Sequence, residues 1–305
     1  MKKVIITGPT GVLGVALVRL LLASNVEVTA IIREGSKRLK NLPISPLLEV
    51  VECDLNNLHI LSESLDKDYD VFFHLGWAGT SGSARYDAYI QIENVNNTIK
   101  AVELAKELGC KKFLGIGSQA EYGRSESALS PDTLTMPENA YGAAKLCAGQ
   151  LSKIRCEQLG LEHIWVRVLS VYGPCDGENT LIMSVVNKLL QGEVPSCTRG
   201  EQIWDYIYSE DAARALACLG ESDITGKTYC LGSGKGKPLI EYLEEIQRIV
   251  NPDIKLGLGD VPYAEKQVMY LCADISELKK DIRFEPSITF EEGIKRTITW
   301  IRSEK

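Results

Sequence analysis

Lys3-Val4-Ile5-Ile6-Thr7-Gly8-Pro9-Thr10-Gly11-Val12-Leu13-Gly14 is the stretch whose reading decides the fold. Lys3 to Thr7 is short and rich in β-branched residues, the composition of a strand buried on both faces of a parallel sheet. Glycines follow, and then a run of Leu, Val and Ala that predicts a helix to Ala23. Strand, glycine turn and helix in that order are the setting a phosphate-binding turn requires. Gly8 permits the tight turn, Gly11 lets the backbone approach a pyrophosphate, and Gly14 lets the helix pack close to the strand. The first N–H groups of the helix and the positive end of its dipole would face the phosphates. Gly8, Thr10, Gly11, Val12, Leu13 and Gly14 are therefore the candidate cradle for a dinucleotide. The spacing is G-x-x-G-x-x-G, not the commoner G-x-G-x-x-G, and an ordinary strand-to-helix turn would also accept it.

Outward from this turn, Val26 to Ile32 predicts the second strand. An NAD site places an acidic residue at the end of that strand to hold the adenosine ribose. Ile32 stands there instead, followed by Arg33, with Ser36, Lys37 and Arg38 close behind. A guanidinium suits bidentate contact with a 2′-phosphate, so the reading favours NADP(H) and leaves NAD(H) open. A solvated basic loop is the plainer alternative, and Glu34 offsets part of its charge. Glu49 to Cys53 predicts a third strand ending at Asp54-Leu55. Asp54 could accept from an adenine amino group or cap the helical pattern that follows. Asp70 to Leu75 predicts a fourth strand running into Gly76-Trp77-Ala78-Gly79. Leu75, Gly76 and Trp77 are candidates for contact with the cofactor. Asn94 to Thr98 reads as the start of a helix to Leu108, and Lys112 to Gly117 as a fifth strand. Strands alternating with helices at this rhythm predict an α/β fold, a doubly wound parallel sheet of the Rossmann kind.

The chemistry is placed after the fifth strand. Ligands of open α/β sheets bind beyond the carboxyl ends of the strands, and Ser118 sits at such an end. Tyr141 and Lys145 lie four apart in a run to Leu159 that reads as a helix, so they share one face. A phenol titrates near pH 10, and a neighbouring ammonium favours the phenolate. The pair suits acid–base work on a carbonyl–alcohol interconversion. On its own, such a pair is more often a packed ring beside a solvated lysine.

Composition narrows the function class. The 305 residues carry a net charge of −7, with 45% hydrophobic and 25% charged residues. That is ordinary for a globular chain and unsuited to nucleic acid, since no basic stripe with interleaved aromatics occurs. No apolar run approaches membrane-spanning length, and the N-terminal apolar run is too short for a signal peptide. Nine scattered cysteines without a C-x-x-C predict reduced thiols and a cytoplasmic location. The three histidines are dispersed, and no metal site is expected.

The order Gly8/Gly11/Gly14, Asp54-Leu55, Asn94-Val95-Asn96, Ser118 with Tyr122-Gly123, Tyr141 with Lys145, and Arg167 with Tyr172-Gly173-Pro174 closely resembles the extended short-chain dehydrogenase/reductases. Within them it is similar to the NAD(P)-dependent nucleotide-sugar epimerase/dehydratase group, over nearly the whole chain. The resemblance implies that Ser118, Tyr141 and Lys145 form the catalytic triad. Tyr141 would trade a proton with the sugar oxygen and Ser118 would orient that oxygen. Lys145 would hold the nicotinamide ribose and lower the tyrosine pKa. Sugar 4,6-dehydratases of the group carry Asp-Glu directly after the catalytic Ser or Thr. Gln119 and Ala120 stand there, and Glu121 comes one place too late. A dehydratase is disfavoured. What remains is an NADP(H)-dependent reductase of a nucleotide-linked 4-keto-(deoxy)sugar, an NAD-dependent nucleotide-sugar epimerase, or a cofactor-sensing protein without turnover. The Arg33 argument favours the reductase.

The resemblance also implies a smaller, discontinuous substrate-binding domain, at about 175–202 and 233–305. Residues 1–174 and about 203–232 would form the dinucleotide-binding domain. Ser118, Gln119, Asn179 and Trp204 are the candidate substrate residues. Asn179 is equally suited to capping the helix expected from Glu178 to Leu190. The arginines that usually meet the substrate diphosphate fall at Trp204 and near Ala264, so both are missing; Arg199 and Lys266 are the nearest substitutes. Gly232-Ser233-Gly234-Lys235-Gly236 reads as a turn, not a phosphate loop. Phe290, Ile294, Ile298 and Ile301 form a packing stripe at helical spacing. Dimers of the group pair the helix after Asn94 with the Tyr141 helix, which implies a homodimer.

Overall fold

The computed structural model describes residues 1–304. Six strands follow one another as β1 (Lys3–Thr7), β2 (Glu27–Ile32), β3 (Leu48–Glu52), β4 (Val71–His74), β5 (Lys112–Ser118) and β6 (Glu162–Val168). With Lys227–Leu231 they make one seven-stranded parallel sheet, in the order Lys227–Leu231, β6, β5, β4, β1, β2, β3. The expected doubly wound sheet is thus present, with the chain reversing direction across the sheet between β1 and β4. The helices are α1 (Val12–Ala23), α2 (Ala88–Glu107), α3 (Ala140–Leu159), α4 (Leu181–Gln191), α5 (Ser209–Glu221), α6 (Leu239–Val250), α7 (Ser276–Ile282) and α8 (Phe290–Ser303).

The period-2 geometry of a strand explains why the central strands are apolar throughout. Val4 and Ile6 enter the core on the α1/α5 face, while Ile5 enters the core on the α2 face. Phe73 and Phe72 of β4 divide the same way. Leu271, Ala273, Ile275, Leu278 and Phe284 join the α1/α5 core, so this late segment packs on the main sheet. A third core, built by α4, α6 and α8 around Tyr172, Tyr208 and Tyr242, stands beside the carboxyl ends of the strands. It buries Ile294, Ile298 and Ile301, the expected packing stripe of α8.

Three local features tie these parts together. Trp165 of β6 fills a slot left by Gly115, Gly117 and Gly149, where an added Cβ would collide with the indole. The Asp205 carboxylate, fully buried, accepts from Ser233 N–H and Oγ–H, Gly234 N–H and Ala273 N–H, which makes the glycine-rich 232–234 segment a turn. The Lys112 ammonium, buried beneath the C-terminus of α5, donates to the Leu219 and Ser222 carbonyls, where the helix dipole favours a cation.

Two helix boundaries differ from expectation. The helix expected to open at Asn94 begins at Ala88, because Asp87 accepts from the N–H groups of Tyr89 and Ile90 and caps it there. The helix expected from Glu178 begins at Leu181 with Thr180 as its N-cap residue, so Asn179 does not cap it. No helix among the described residues is long and apolar enough to cross a membrane.

Candidate active site

The turn after β1 has the close-packed geometry that suits a phosphate. Gly8 lies at φ +68°, and a Cβ there would stand 2.7 Å from Gly76 N. A Cβ on Gly14 would strike the Gly8 carbonyl oxygen, which confirms the close packing of helix on strand. Gly11 has open space around it and is the N-cap of α1 without any side-chain capping bond. The first N–H groups of α1 are left for an outside acceptor, and a pyrophosphate is the acceptor this arrangement suits. The residues present therefore fit a dinucleotide.

A cleft of about 630 Å³ runs from this turn to the third core. Of the residues expected at the site, Gly8, Gly11, Val12, Leu13, Gly14, Leu75, Trp77, Ser118, Gln119, Tyr141, Lys145 and Trp204 line it. Thr10 lies just outside, its carbonyl accepting from Asn41 Nδ2 at 3.1 Å. Gly76 N–H donates to Thr7 Oγ1 at 3.1 Å, and Leu55 packs beneath Gly76. Arg33 and Asp54 are exposed at the ends of β2 and β3. Asp54 makes no side-chain capping bond to the 3₁₀ segment Leu55–Ser62, so its carboxylate stays free for another partner. Asn179 is exposed and outside the cleft lining; Arg199 and Lys266 are exposed and outside it too.

Ser118 ends β5 in a capping box. Its Oγ accepts from Ala120 N–H at 3.2 Å, and Glu121 Oε1 accepts from Ser118 N–H at 2.8 Å. The capping box uses only the Ser118 oxygen, so the hydroxyl hydrogen is left for the Tyr141 phenol, whose pKa a Ser118 hydrogen bond lowers. Glu121 itself is fully buried: Oε2 pairs with Arg167 Nε at 2.6 Å and Oε1 accepts from Trp165 Nε1 at 3.1 Å. Arg167 also donates to the Tyr122 hydroxyl at 2.7 Å. This carboxylate is sealed beneath the site and cannot exchange protons with a ligand.

Asn139 caps α3 by accepting from Gly142 N–H at 2.8 Å, and so sets Tyr141 and Lys145 on the face towards the cleft. Both are buried, Tyr141 to 9% exposure and Lys145 to 4%. Lys145 Nζ donates to the Ile116 carbonyl at 2.6 Å and lies 3.6 Å from the centre of the Trp77 ring. Burial pulls its pKa down to about 7, against the pull of Glu121. Burial pushes the Tyr141 phenol up; the Ser118 hydrogen bond and the Arg85 charge oppose that shift, and Glu121 adds to it. Lys145 Nζ stands 6.0 Å from the centre of the Tyr141 ring, and a second cation, Arg85, stands nearer, with its guanidinium carbon 4.5 Å from that centre.

Sequence reasoning passed over the loop that carries Arg85. Gln91 Nε2 donates to the Gly79 and Ala84 carbonyls at 2.9 Å each, and Gln91 Oε1 accepts from Trp77 Nε1 at 2.9 Å. Asn94 takes both backbone groups of Ala78, accepting from its N–H at 2.8 Å and donating to its carbonyl at 2.9 Å. The loop's signal was visible as a single cation, Arg85, directly after the run of small residues from Ala78 to Ala84. On the far wall, Trp204 Nε1 donates to Ser170 Oγ at 2.8 Å, which fixes the indole there. Ser170, Tyr172, Asp176, Thr180 and Tyr206 complete that wall; none of them carried a recognisable motif beyond the Tyr172-Gly173-Pro174 turn.

Known proteins match along the whole chain. The CDP-abequose synthase of Salmonella typhimurium is 26% identical over 97% of this chain and 97% of its own. The solved UDP-N-acetylglucosamine 4-epimerase of Methanobrevibacter ruminantium M1, in complex with UDP-N-acetylmuramic acid, superposes with a TM-score of 0.90 at 27% identity, covering 100% of this chain and 99% of that one. The UDP-glucuronic acid 4-epimerase of Bacillus cereus, solved with NAD, shares the fold with a TM-score of 0.85 at 20% identity, over 99% and 97% of the two chains. The profile described as the NAD dependent epimerase/dehydratase family spans residues 4–232, from β1 through the last strand of the sheet and including every residue from Gly8 to Trp204 named above, and the chain belongs to that enzyme family.

Proposed function

We propose that the protein is an NADP(H)-dependent reductase of a nucleotide-linked 4-keto-(deoxy)sugar. The observation that carries this reading is the sealing of Glu121 in its ion pair with Arg167. With Gln119 and Ala120 in place of an acidic pair after Ser118, no carboxylate of that turn reaches the cleft, and Tyr141 is the side chain this reading assigns to move a proton at the sugar oxygen. A dehydration needs further proton transfers at neighbouring carbons; a reduction needs one proton and one hydride.

The Gly8–Gly14 turn and the start of α1 hold the pyrophosphate, and Lys145 reaches the nicotinamide ribose. When bound, the dinucleotide supplies the hydride. The phenol of Tyr141 gives its proton to the carbonyl oxygen of the sugar. Ser118 turns its hydroxyl hydrogen from the phenol to the same oxygen and holds it in place. Arg33, exposed at the end of β2 where Ile32 takes the acidic position, meets a 2′-phosphate, and Asp54 meets the adenine. Trp204 presents its face to the sugar or base, and Asn179 stands at the rim of the same subsite. Residues about 175–202 and 233–305 form the substrate side, of which Leu271 to Phe284 pack back on the main sheet. The reading makes the protein a homodimer through α2 and α3, which expose Ile92, Leu151 and Ile154. Its free cysteines suit the cytoplasm.

A second reading, an NAD-dependent epimerase of a nucleotide sugar, is favoured by the TM-score of 0.90 with a solved 4-epimerase. Incubation with a CDP- or dTDP-4-keto-6-deoxyhexose and reduced cofactor separates the two. Stoichiometric loss of the reduced nicotinamide absorbance is expected; product without that loss supports epimerisation, and neither outcome favours a sensor without turnover. Fluorescence titration is expected to give tighter binding of NADPH than of NADH, and tighter NADH binding would overturn the role of Arg33.

A further inference from the structure

Arg85 is the only cation between Leu75 and Asp87, and it lines the cleft. Its guanidinium carbon lies 4.5 Å from the centre of the Tyr141 ring, over the face. The loop that carries it is fastened from behind by Gln91, which is 1% exposed and spends both its N–H groups on Gly79 and Ala84. Arg85 makes no ion pair among the described residues, and its one hydrogen bond is a 3.4 Å contact with the Thr80 carbonyl. A guanidinium without a carboxylate, kept at a buried phenol by a satisfied polar network, calls for a purpose at that phenol.

The charged and titratable groups that face the ring are few. From its own helix comes Lys145, with Nζ 6.0 Å from the ring centre and committed to Ile116 and Trp77. From the turn after β5 comes Glu121, whose charge is matched by Arg167. Trp77 meets the ring edge-on at 6.2 Å and is neutral. His74, near Lys145, is held neutral by burial, its pKa pulled down to about 3. Arg85 is left as the unmatched charge. A cation over an aromatic face is attracted by its electron cloud, and more strongly once the oxygen below is ionised.

The geometry points to Arg85 as a positioning residue for Tyr141, one that clamps the ring against Trp77 and stabilises the phenolate left behind when the proton is delivered. The inference rests on Tyr141 being the proton donor of the proposed reduction. Its test therefore includes a readout free of any sugar. Protein labelled with ¹³C at the tyrosine ζ carbon is titrated with NADP⁺ bound, and the Tyr141 resonance is identified by its loss in Tyr141→Phe. In Arg85→Gln the phenol is expected to ionise at least about one pH unit higher than in the native protein. Arg85→Lys is expected to recover part of that shift, and equal melting temperatures show that the variants are folded. With a 4-keto sugar as substrate, the alkaline limb of kcat moves upward by the same amount in Arg85→Gln, while KM changes less than kcat. A Tyr141 resonance that titrates alike in native protein and Arg85→Gln, or that stays un-ionised up to unfolding in both, overturns the inference. Failure of the proposed reduction itself shows differently, as absence of turnover with the Arg85 shift still present.

Discussion

At the scale of single residues, the site is a contest between burial and charge. Tyr141 is a weak acid made weaker by its surroundings, and turnover depends on the few groups that act the other way. Tyr141→Phe removes the transferable proton and keeps the ring against Trp77. Turnover is expected to fall at least about 100-fold while cofactor binding, followed by fluorescence, stays close to native. Lys145 gives a prediction for stability. The unfolded chain keeps this ammonium protonated up to its ordinary value of 10.5, whereas the folded chain sheds the proton near 7. Between those values the unfolded state binds more protons, so this residue's contribution to stability rises with pH across that window. Lys145→Met is expected to raise the melting temperature most below pH 7, with the gain shrinking as pH approaches 10.5. Parallel melts of both proteins across that range check the sign; a gain that grows with pH would show the ammonium to be stabilised in place.

At the scale of elements, the β1 turn and α1 act as one unit. Gly14→Ala would drive a methyl group into the Gly8 carbonyl and the Pro9 backbone, so helix and strand must part. Overpacking of this kind costs about 1–3 kcal/mol, and chemical denaturation is expected to register it together with weakened binding of the dinucleotide. Removing the cap of α2 by Asp87→Ala is expected to cost about 1 kcal/mol and to loosen the Arg85 loop next to it, which hydrogen exchange at Ala84 to Tyr89 would detect. Much of this was legible beforehand, because strand burial and glycine spacing are local signals: β1 to β5, α1 and α3 all lie within a residue or two of their expected places. The start of α2 was missed because polar Asn94 broke the apolar pattern, when its amide in fact grips Ala78 from inside the helix. The far wall was missed for another reason. Ser170, Asp176 and Tyr206 are brought to the cleft by pairing of Ser170–Tyr172 with Tyr206–Tyr208, a contact between segments over thirty residues apart that leaves no periodic trace.

At the scale of the whole molecule, the catalytic helix does two things. One face of α3 delivers Tyr141 and Lys145, and the opposite side leaves Leu151 and Ile154 in solvent, as Ile92 of α2 also is. Ile154→Lys, or Leu151→Glu, is expected to convert the proposed dimer to monomers in sedimentation, with cofactor affinity little changed; a native sedimentation profile in both variants would count against pairing through these helices. The indole of Trp165 shows how tightly that helix is bound to the sheet. Gly115 and Gly117 come from β5 and Gly149 from α3, and all three leave just enough room for one large flat ring. These four positions amount to a lock with three wards and a single key. A drift to alanine at any one of them would be tolerated only after the ring had shrunk, and a smaller ring would open a hole unless the wards filled in behind it. Descendants of this chain should therefore alter the four together or keep them all.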